Sequence, residues 1–130
     1  MMETERDLIS FFYVGKNENN GEYLMPKIGE SKQKLKDRAR EIRKDGDRNF
    51  QMMGCLVLIG ATKAERKYIE SYVRMKMEKY GKNIKNDHFL IRAKAKKYCD
   101  AQYTAFMLVA LGYAMDLCNR EGFLYELKIF

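Results

Sequence analysis

Apolar and polar positions change their period several times along this 130-residue chain. Short apolar stretches bounded by glycine, asparagine or charged residues indicate strands, whereas apolar positions repeated every three or four residues indicate helices. The pattern predicts strands at residues 8–14, 23–28, 51–59, 88–91 and 123–130. It predicts helices at residues 31–44, 63–80 and 93–120. The order β-β-α-β-α-β-α-β indicates a mixed α/β or α+β domain around a small sheet.

Turn and capping residues locate several element boundaries. Asparagine and glycine at residues 15–22 predict a turn that joins the first two strands into a hairpin. Pro26 cannot donate to a strand ladder, so we expect the second strand to be irregular or unpaired on one side there. Ser31 and Thr62 are predicted helix N-caps. The nearly continuous apolar stretch 51–59 predicts a central strand covered on both faces.

The length and composition of the chain indicate the size of the domain and the location of its charge. A chain of 130 residues is long enough for one domain with a single core. The formal net charge is +7, and it is unevenly placed. Residues 31–48 carry eight basic and four acidic side chains, and residues 63–97 carry twelve and four, so the rest of the chain sums to −5. This distribution predicts a basic face able to attract a polyanion, or two helices with lysine-rich solvated surfaces.

The numbers and spacing of cysteine and histidine residues limit the kinds of site that the chain can form and the cellular compartment expected for it. The chain has three cysteines, Cys55, Cys99 and Cys118, and they lack metal-binding spacing. They are predicted to be reduced and buried, and the protein is predicted to be cytoplasmic and not secreted. With a single histidine, His88, zinc sites and Ser/His/Asp chemistry are poorly supported. The N-terminal residues 1–7 lack a signal-peptide pattern. The longest apolar run, 105–115, is too short for a membrane span and predicts a buried helix segment or a dimer face.

The most specific pattern in the chain is an ordered set of four short motifs. An aromatic strand at residues 11–14 precedes the sequence Lys-Ile-Gly at residues 27–29. A basic helix follows with Leu35 and Arg38, and a later helix presents Glu70 at the edge of its apolar stripe. In this order the motifs resemble the GIY-YIG nuclease superfamily. The nearest likeness is its compact branch, common in phages and large DNA viruses, in which the second motif is Lys-Ile-Gly.

The resemblance implies a fold and an activity. It implies a three-stranded antiparallel sheet flanked by helices, formed by residues 10–91, with residues 92–130 as an additional helix and strand. It implies a metal-dependent endonuclease that cleaves phosphodiester bonds in nucleic acid, with DNA expected as the substrate in preference to RNA. Such a site uses one Mg²⁺ or Mn²⁺ ion held by a glutamate, a tyrosine that positions or activates water, and an arginine that neutralises charge on the scissile phosphate.

Residue by residue, the resemblance assigns the catalytic set to four positions. Tyr13 corresponds to the tyrosine of the first motif, although an alternative register places Phe12 there. Lys27 stands where the second motif often has tyrosine, and it would place an ammonium group near phosphate. Arg38 corresponds to the arginine of the helix, with one extra residue before it. Glu70 corresponds to the metal-binding glutamate.

Five further positions are assigned to nucleic-acid contacts. Gly29 is predicted to allow close backbone approach at a strand-to-helix turn, and Ser31 to cap a helix or contact phosphate at its N-terminus. Lys32 and Lys34 lie in the same basic turn, and Arg74 stands where the compact branch often has a histidine.

Departures from the family pattern keep two other hypotheses open. Lys27 replaces a tyrosine, Arg74 replaces a histidine, and Arg66 and Arg74 are spaced to form ordinary surface ion pairs with Glu70. A second hypothesis is therefore a catalytically degenerate nucleic-acid-binding protein, or a viral accessory or inhibitor protein with a host protein as its partner. A third is an interaction domain without a role in nucleic-acid binding. A homodimer is compatible with all three.

Overall fold

The structure is a computed structural model that describes residues 5–17, 21–84 and 88–130. Seven strands lie within these residues: β1 (Arg6–Lys16), β2 (Tyr23–Leu24), β3 (Pro26–Ser31), β4 (Gln51–Thr62), β5 (Lys82–Ile84), β6 (His88–Arg92) and β7 (Leu124–Ile129). They also contain three α-helices and one 3-10 turn: α1 (Leu35–Lys44), α2 (Lys63–Met77), the 3-10 turn (Lys96–Tyr98) and α3 (Cys99–Glu121). The predicted turn at residues 15–22 falls partly outside the described residues.

The strands form one antiparallel sheet with the order β2-β6-β3-β1-β4-β7, and β5 pairs with β6. The α+β class predicted from the sequence is confirmed. The sheet is larger than the expected three strands, because β6 with its neighbours extends one side and β7 extends the other. The predicted hairpin is formed by β1 and β3, and β4 lies on the opposite side of β1. This arrangement places β1 in the middle of the sheet.

The two faces of the sheet are covered unequally. Helices α2 and α3 cover one face and form the main core with side chains that include Phe12, Val14 and Leu56 from the sheet. From α3 this core takes residues within the apolar run 105–115, which is therefore largely a core segment. The ten-residue α1 covers part of the other face, over a smaller cluster: Tyr13, Ala39, Ile42, Phe50 and Cys55. None of the described helices has the apolar length required to cross a membrane.

Two predictions at the second strand are corrected. The predicted strand 23–28 is interrupted at Met25, so that β2 pairs with β6 while β3 pairs with β1. Pro26 begins β3, where its missing N–H removes no internal ladder bond. Ser31 is not a helix N-cap, because β3 continues through it and α1 begins at Leu35. Its Oγ instead accepts a hydrogen bond from the Gln33 N–H at 2.9 Å.

The predicted start of α2 and end of α3 are confirmed, whereas α2 ends at Met77, before the predicted 80, and α3 begins at Cys99, after the predicted 93. Thr62 caps α2 in a capping box: its Oγ1 accepts from the Glu65 N–H at 3.0 Å, and Glu65 Oε1 accepts from the Thr62 N–H at 2.9 Å. Helix α3 ends at Gly122, whose φ of 76° is in the left-handed region that glycine adopts without steric strain.

Candidate functional site

A cavity of about 360 Å³ lies between α1, α2 and the outer part of β3. The residues that line it come from all of these elements and from β1 and β6: Tyr13, Lys27, Ile28, Gly29, Glu30, Arg38, Ile42, Asp45, Asp47, Lys67, Glu70 and His88. The four catalytic positions assigned from the sequence are all among them, and so is Gly29. Residues up to 75 positions apart along the chain (Tyr13 and His88) therefore meet at one site.

The tyrosine is held by an unusually close approach to β3. Tyr13 and Gly29 are directly paired across β1 and β3. A Cβ atom built on Gly29 would lie 2.3 Å from the Tyr13 hydroxyl oxygen and 2.4 Å from Cζ. Gly29 is thus required, but for a different reason from the one predicted: it lies inside a strand, and the close neighbour is a side chain. The tyrosine ring crosses β3 above Gly29 and carries its hydroxyl into the cavity.

The pleat of β1 places Phe12 and Tyr13 on opposite faces of the sheet. Successive side chains on a strand point to opposite faces. Phe12 is fully buried in the core beneath α2 and α3, while Tyr13 faces α1 and lines the cavity. The aromatic side chain that reaches the cavity is therefore the one with a hydroxyl group.

Among charged groups, Arg38 has the largest effect on the Tyr13 hydroxyl. The guanidinium of Arg38 lies near enough to the Tyr13 hydroxyl to interact with it electrostatically, and it is also paired with Glu41 on its own helix. Burial raises the pKa of Tyr13 above its ordinary value of 10.0, and the positive charge of Arg38 opposes that rise. At neutral pH the residue is therefore a neutral phenol beside the guanidinium of Arg38.

Glu70 approaches the cavity from the other side of the sheet. Its neighbours on α2, Ile69 and Val73, pack in the main core, yet Glu70 lines the cavity and is 6% exposed. Its Oε1 accepts a hydrogen bond from Arg74 Nη2 at 3.0 Å, and Lys67 Nζ lies 3.9 Å from the same oxygen. Its charge is close enough to contribute to the rise in the pKa of Tyr13. The cavity therefore contains a buried carboxylate that is already paired with protein cations.

Lys27 and His88 form the floor of the cavity at the point where β3 meets β6. They are directly paired across these strands, and both are more than nine-tenths buried. His88 Nε2 lies 3.0 Å from Asp47 Oδ2, so a carboxylate fixes the orientation of the imidazole ring. The sequence patterns did not single out Asp47. It lies 41 residues from His88, and no local spacing connects the two.

Arg66 connects α2 to the sheet behind the site. The surface ion pair predicted for it is wrong. Arg66 was expected to form a surface ion pair with Glu70, but it is 3% exposed and turns towards the sheet. Its Nη1 donates to Asp7 Oδ2 at 2.6 Å and its Nε to Glu30 Oε1 at 2.9 Å. Because one guanidinium joins α2 to both β1 and β3, it fixes the helix that carries Glu70 relative to the strands that carry Tyr13 and Gly29.

Four of the residues assigned to nucleic-acid contacts lie outside the cavity lining. Ser31 is buried at the end of β3, and its expected position at a helix N-terminus is ruled out by the later start of α1. Lys32 and Lys34 are exposed in the turn between β3 and α1. Arg74 is half-buried behind Glu70.

The donor set of the cavity can be compared with what a divalent ion needs. The described residues contain no group of three or more His, Cys, Asp or Glu side chains arranged to hold a metal ion. Mg²⁺ usually keeps several waters and takes one or two carboxylates together with substrate phosphates. The cavity lining contains four carboxylates, those of Glu30, Asp45, Asp47 and Glu70. One or two of them meet that demand, provided that the ion competes with Arg74 for Glu70.

Searches of protein-family models, curated proteins and solved structures found no match to this chain.

Proposed function

We propose that this chain is a metal-dependent endonuclease that hydrolyses phosphodiester bonds in DNA at the cavity between α1, α2 and β3. The observation that supports this proposal is the meeting of Tyr13, Arg38 and Glu70 in that cavity, with Tyr13 seated on Gly29. These are the positions that the GIY-YIG resemblance assigns from motif order alone.

Each side chain has a role that follows from its surroundings. Tyr13 is a neutral hydroxyl beside the Arg38 guanidinium, and its proton would hydrogen-bond and orient an attacking water. Arg38 and Lys27 supply fixed positive charge where the phosphate gains negative charge in the transition state. The imidazole of His88, oriented by Asp47, is placed to exchange a proton with the water or with the leaving oxygen.

Glu70 would hold one Mg²⁺ or Mn²⁺ ion, since both ions prefer carboxylate and water oxygens. When bound, the ion would polarise the phosphate and lower the pKa of a water molecule. The basic turn at Lys32 and Lys34, exposed beside α1, would attract the DNA backbone without reading its sequence.

Nicking of supercoiled plasmid in Mg²⁺ or Mn²⁺ tests the proposal directly. We expect Glu70→Gln to reduce the nicking rate by about 100-fold or more. Glu78→Gln is the matched control, because Glu78 is an exposed residue at the end of the same helix. Tyr13→Phe removes the hydroxyl and keeps the ring, and we expect a comparable loss. Nicking that is as fast in Glu70→Gln as in Glu78→Gln would contradict the assigned site.

One observation favours a second candidate function. Glu70 is already paired with Arg74 and approached by Lys67, an arrangement that would stabilise the carboxylate without a metal ion. In this case the cavity binds the phosphate backbone and does not cut it. The outcome that supports this candidate is DNA binding that weakens steeply with salt and depends on Arg38, with no nicking in either metal. Binding that is independent of salt would exclude both functions and favour the interaction domain.

A further inference from the structure

The strand β7 forms one edge of the sheet, and half of its backbone groups point outward. It pairs with β4 from Gly54↔Ile129 to Ile59↔Leu124, and the Phe130 N–H donates to the Met53 carbonyl at 3.0 Å. Backbone groups in an antiparallel strand alternate in direction, so even-numbered residues of β7 bond to β4 and odd-numbered residues point away from it. Among the described residues, no strand pairs with that outer edge.

The side chains of this edge strand are also exposed and largely apolar. Leu124 is 66% exposed and Phe130 64%, and Leu127 and Ile129 are exposed as well. An exposed apolar edge with free backbone groups is a template for pairing with another strand. Glu126 and Lys128 are the charged residues of the strand, and both are exposed.

We propose that β7 pairs with β7 of a second copy of this chain, antiparallel and two-fold symmetric, with Leu127 opposite Leu127 of the second copy. A two-fold interface must be self-complementary, so each residue of β7 has to match the residue that symmetry places across from it. In this register the outward backbone groups of residues 125, 127 and 129 bond to those of residues 129, 127 and 125 of the second copy.

Charge selects this register over its two neighbours. With Leu127 at the axis, Glu126 of each copy faces Lys128 of the other on one face of the extended sheet. A shift that centres the axis on Glu126 would place two glutamates opposite each other, and a shift to Lys128 would place two lysines opposite each other. Like charges directly across a strand pair are destabilising, whereas opposite charges contribute stability.

The same register brings exposed apolar side chains together. Leu124 of each copy faces Phe130 of the other, on the face of the sheet that carries α1. There Leu124 continues a cross-strand row with Ile59 and Ile9, all three of them exposed. Because the interface consists of one strand pair and this row, we expect weak association, in line with interfaces at the small end of the known range.

Reversal of the two charges tests the register. Sedimentation equilibrium over a range of protein concentrations should detect a monomer–dimer equilibrium in the unmodified chain. Glu126→Lys and Lys128→Glu should each weaken association about tenfold, because each replaces two attractive pairs by two repulsive ones. The double variant exchanges the charges and should restore association. A monomer at every concentration, or a double variant as weak as either single one, would overturn the proposal.

Cysteine cross-linking tests the axis independently. Paired Cα atoms across an antiparallel ladder are close enough for a disulfide. Leu127→Cys should therefore form an intermolecular disulfide under mild oxidation, since residue 127 faces itself. Glu126→Cys and Lys128→Cys should not, because neither residue faces itself. The three native cysteines are buried and remain in place. Preferential cross-linking of either control would show that the register is wrong.

This interface is separate from the cavity. Strands β1 and β4 lie between β3 and β7, so substitutions on β7 leave the cavity lining untouched. The dimer and the nuclease activity can therefore fail or succeed independently. The unfolding transition of each variant in urea is the check that loss of association is not loss of folding.

Discussion

The hydroxyl of Tyr13 occupies the volume that a side chain at position 29 would need. The two residues are paired across β1 and β3, and the ring lies against the Cα of Gly29. A glycine in a strand interior usually weakens the strand, but here it creates the space through which a buried phenol reaches the cavity. The two positions therefore depend on each other, and substitution of one changes the place of the other.

We expect Gly29→Ala to destabilise the protein by about 1–3 kcal/mol, because the new methyl group overlaps the tyrosine ring. Gly112→Ala is the control: apart from its chain neighbours and the nearby backbone of α3 itself, no atom lies within 4 Å of a Cβ at that position, and alanine should raise stability by up to about 1 kcal/mol. Urea unfolding of the two variants measures the difference. If Gly29→Ala were as stable as the unmodified chain, the tight fit of the tyrosine would be wrong.

The second prediction concerns the buried guanidinium that joins α2 to the sheet. Arg66→Ala removes the buried partner of Asp7 and leaves Glu30 with Lys67 alone, 3.5 Å away, so we expect a loss of about 3–5 kcal/mol. Arg6→Ala removes an exposed arginine that pairs with Glu65 at 2.9 Å, and it should change stability by less than about 1 kcal/mol. The comparison is made by urea unfolding at constant pH. If the two substitutions lowered the free energy of unfolding equally, Arg66 would not be what holds α2 against the sheet.

A third prediction follows from the pairing of Glu70 with Arg74 and rests on the proposed function. Arg74→Gln removes a cation that competes with a divalent ion for Glu70, so Mn²⁺ should bind more tightly, as followed by its electron paramagnetic resonance signal. The control is Arg40→Gln, since Arg40 pairs with Asp37 on the exposed surface of α1. Weaker Mn²⁺ binding by Arg74→Gln than by Arg40→Gln would mean that Arg74 supports the metal site and does not oppose it.

The fourth prediction is a loss of stability in alkaline solution. Burial raises the pKa of the thiols of Cys55 and Cys118 from 9.0 to about 11. Above pH 9 the unfolded chain releases these protons while the folded chain retains them, so the free energy of unfolding falls as the pH rises towards 11. The raised pKa of Tyr13 extends the fall to higher pH.

Urea unfolding at several values of pH between 8 and 11 measures this slope. Cys118→Ala removes one of the two thiols, so its stability should decline less steeply with pH than that of the unmodified chain, whatever its stability at pH 8. An identical slope would contradict the assignment of this titration to the buried thiol.

Much of the local structure was determined by the sequence alone. The capping box at Thr62 and Glu65 and the end of α3 at Gly122 depend on residues that are close along the chain, so their patterns were sufficient. The hairpin and the α+β class followed from the periodicity in the same way. The order of the motifs also indicated Tyr13, Arg38 and Glu70 as candidate site residues, although they are far apart along the chain.

Only the tertiary structure decided which side chains meet. The start of α1 after Ser31, the pairing of His88 with Asp47 and the burial of Arg66 between Asp7 and Glu30 all depend on partners from other elements. The pairing of β7 with β4, which leaves the outer edge of β7 without a partner strand among the described residues, likewise depends on distant elements. The spacing of apolar residues indicates which face of a helix or strand is buried. An ion pair or a strand pairing depends instead on how elements distant in sequence pack together, and local sequence patterns do not reveal this.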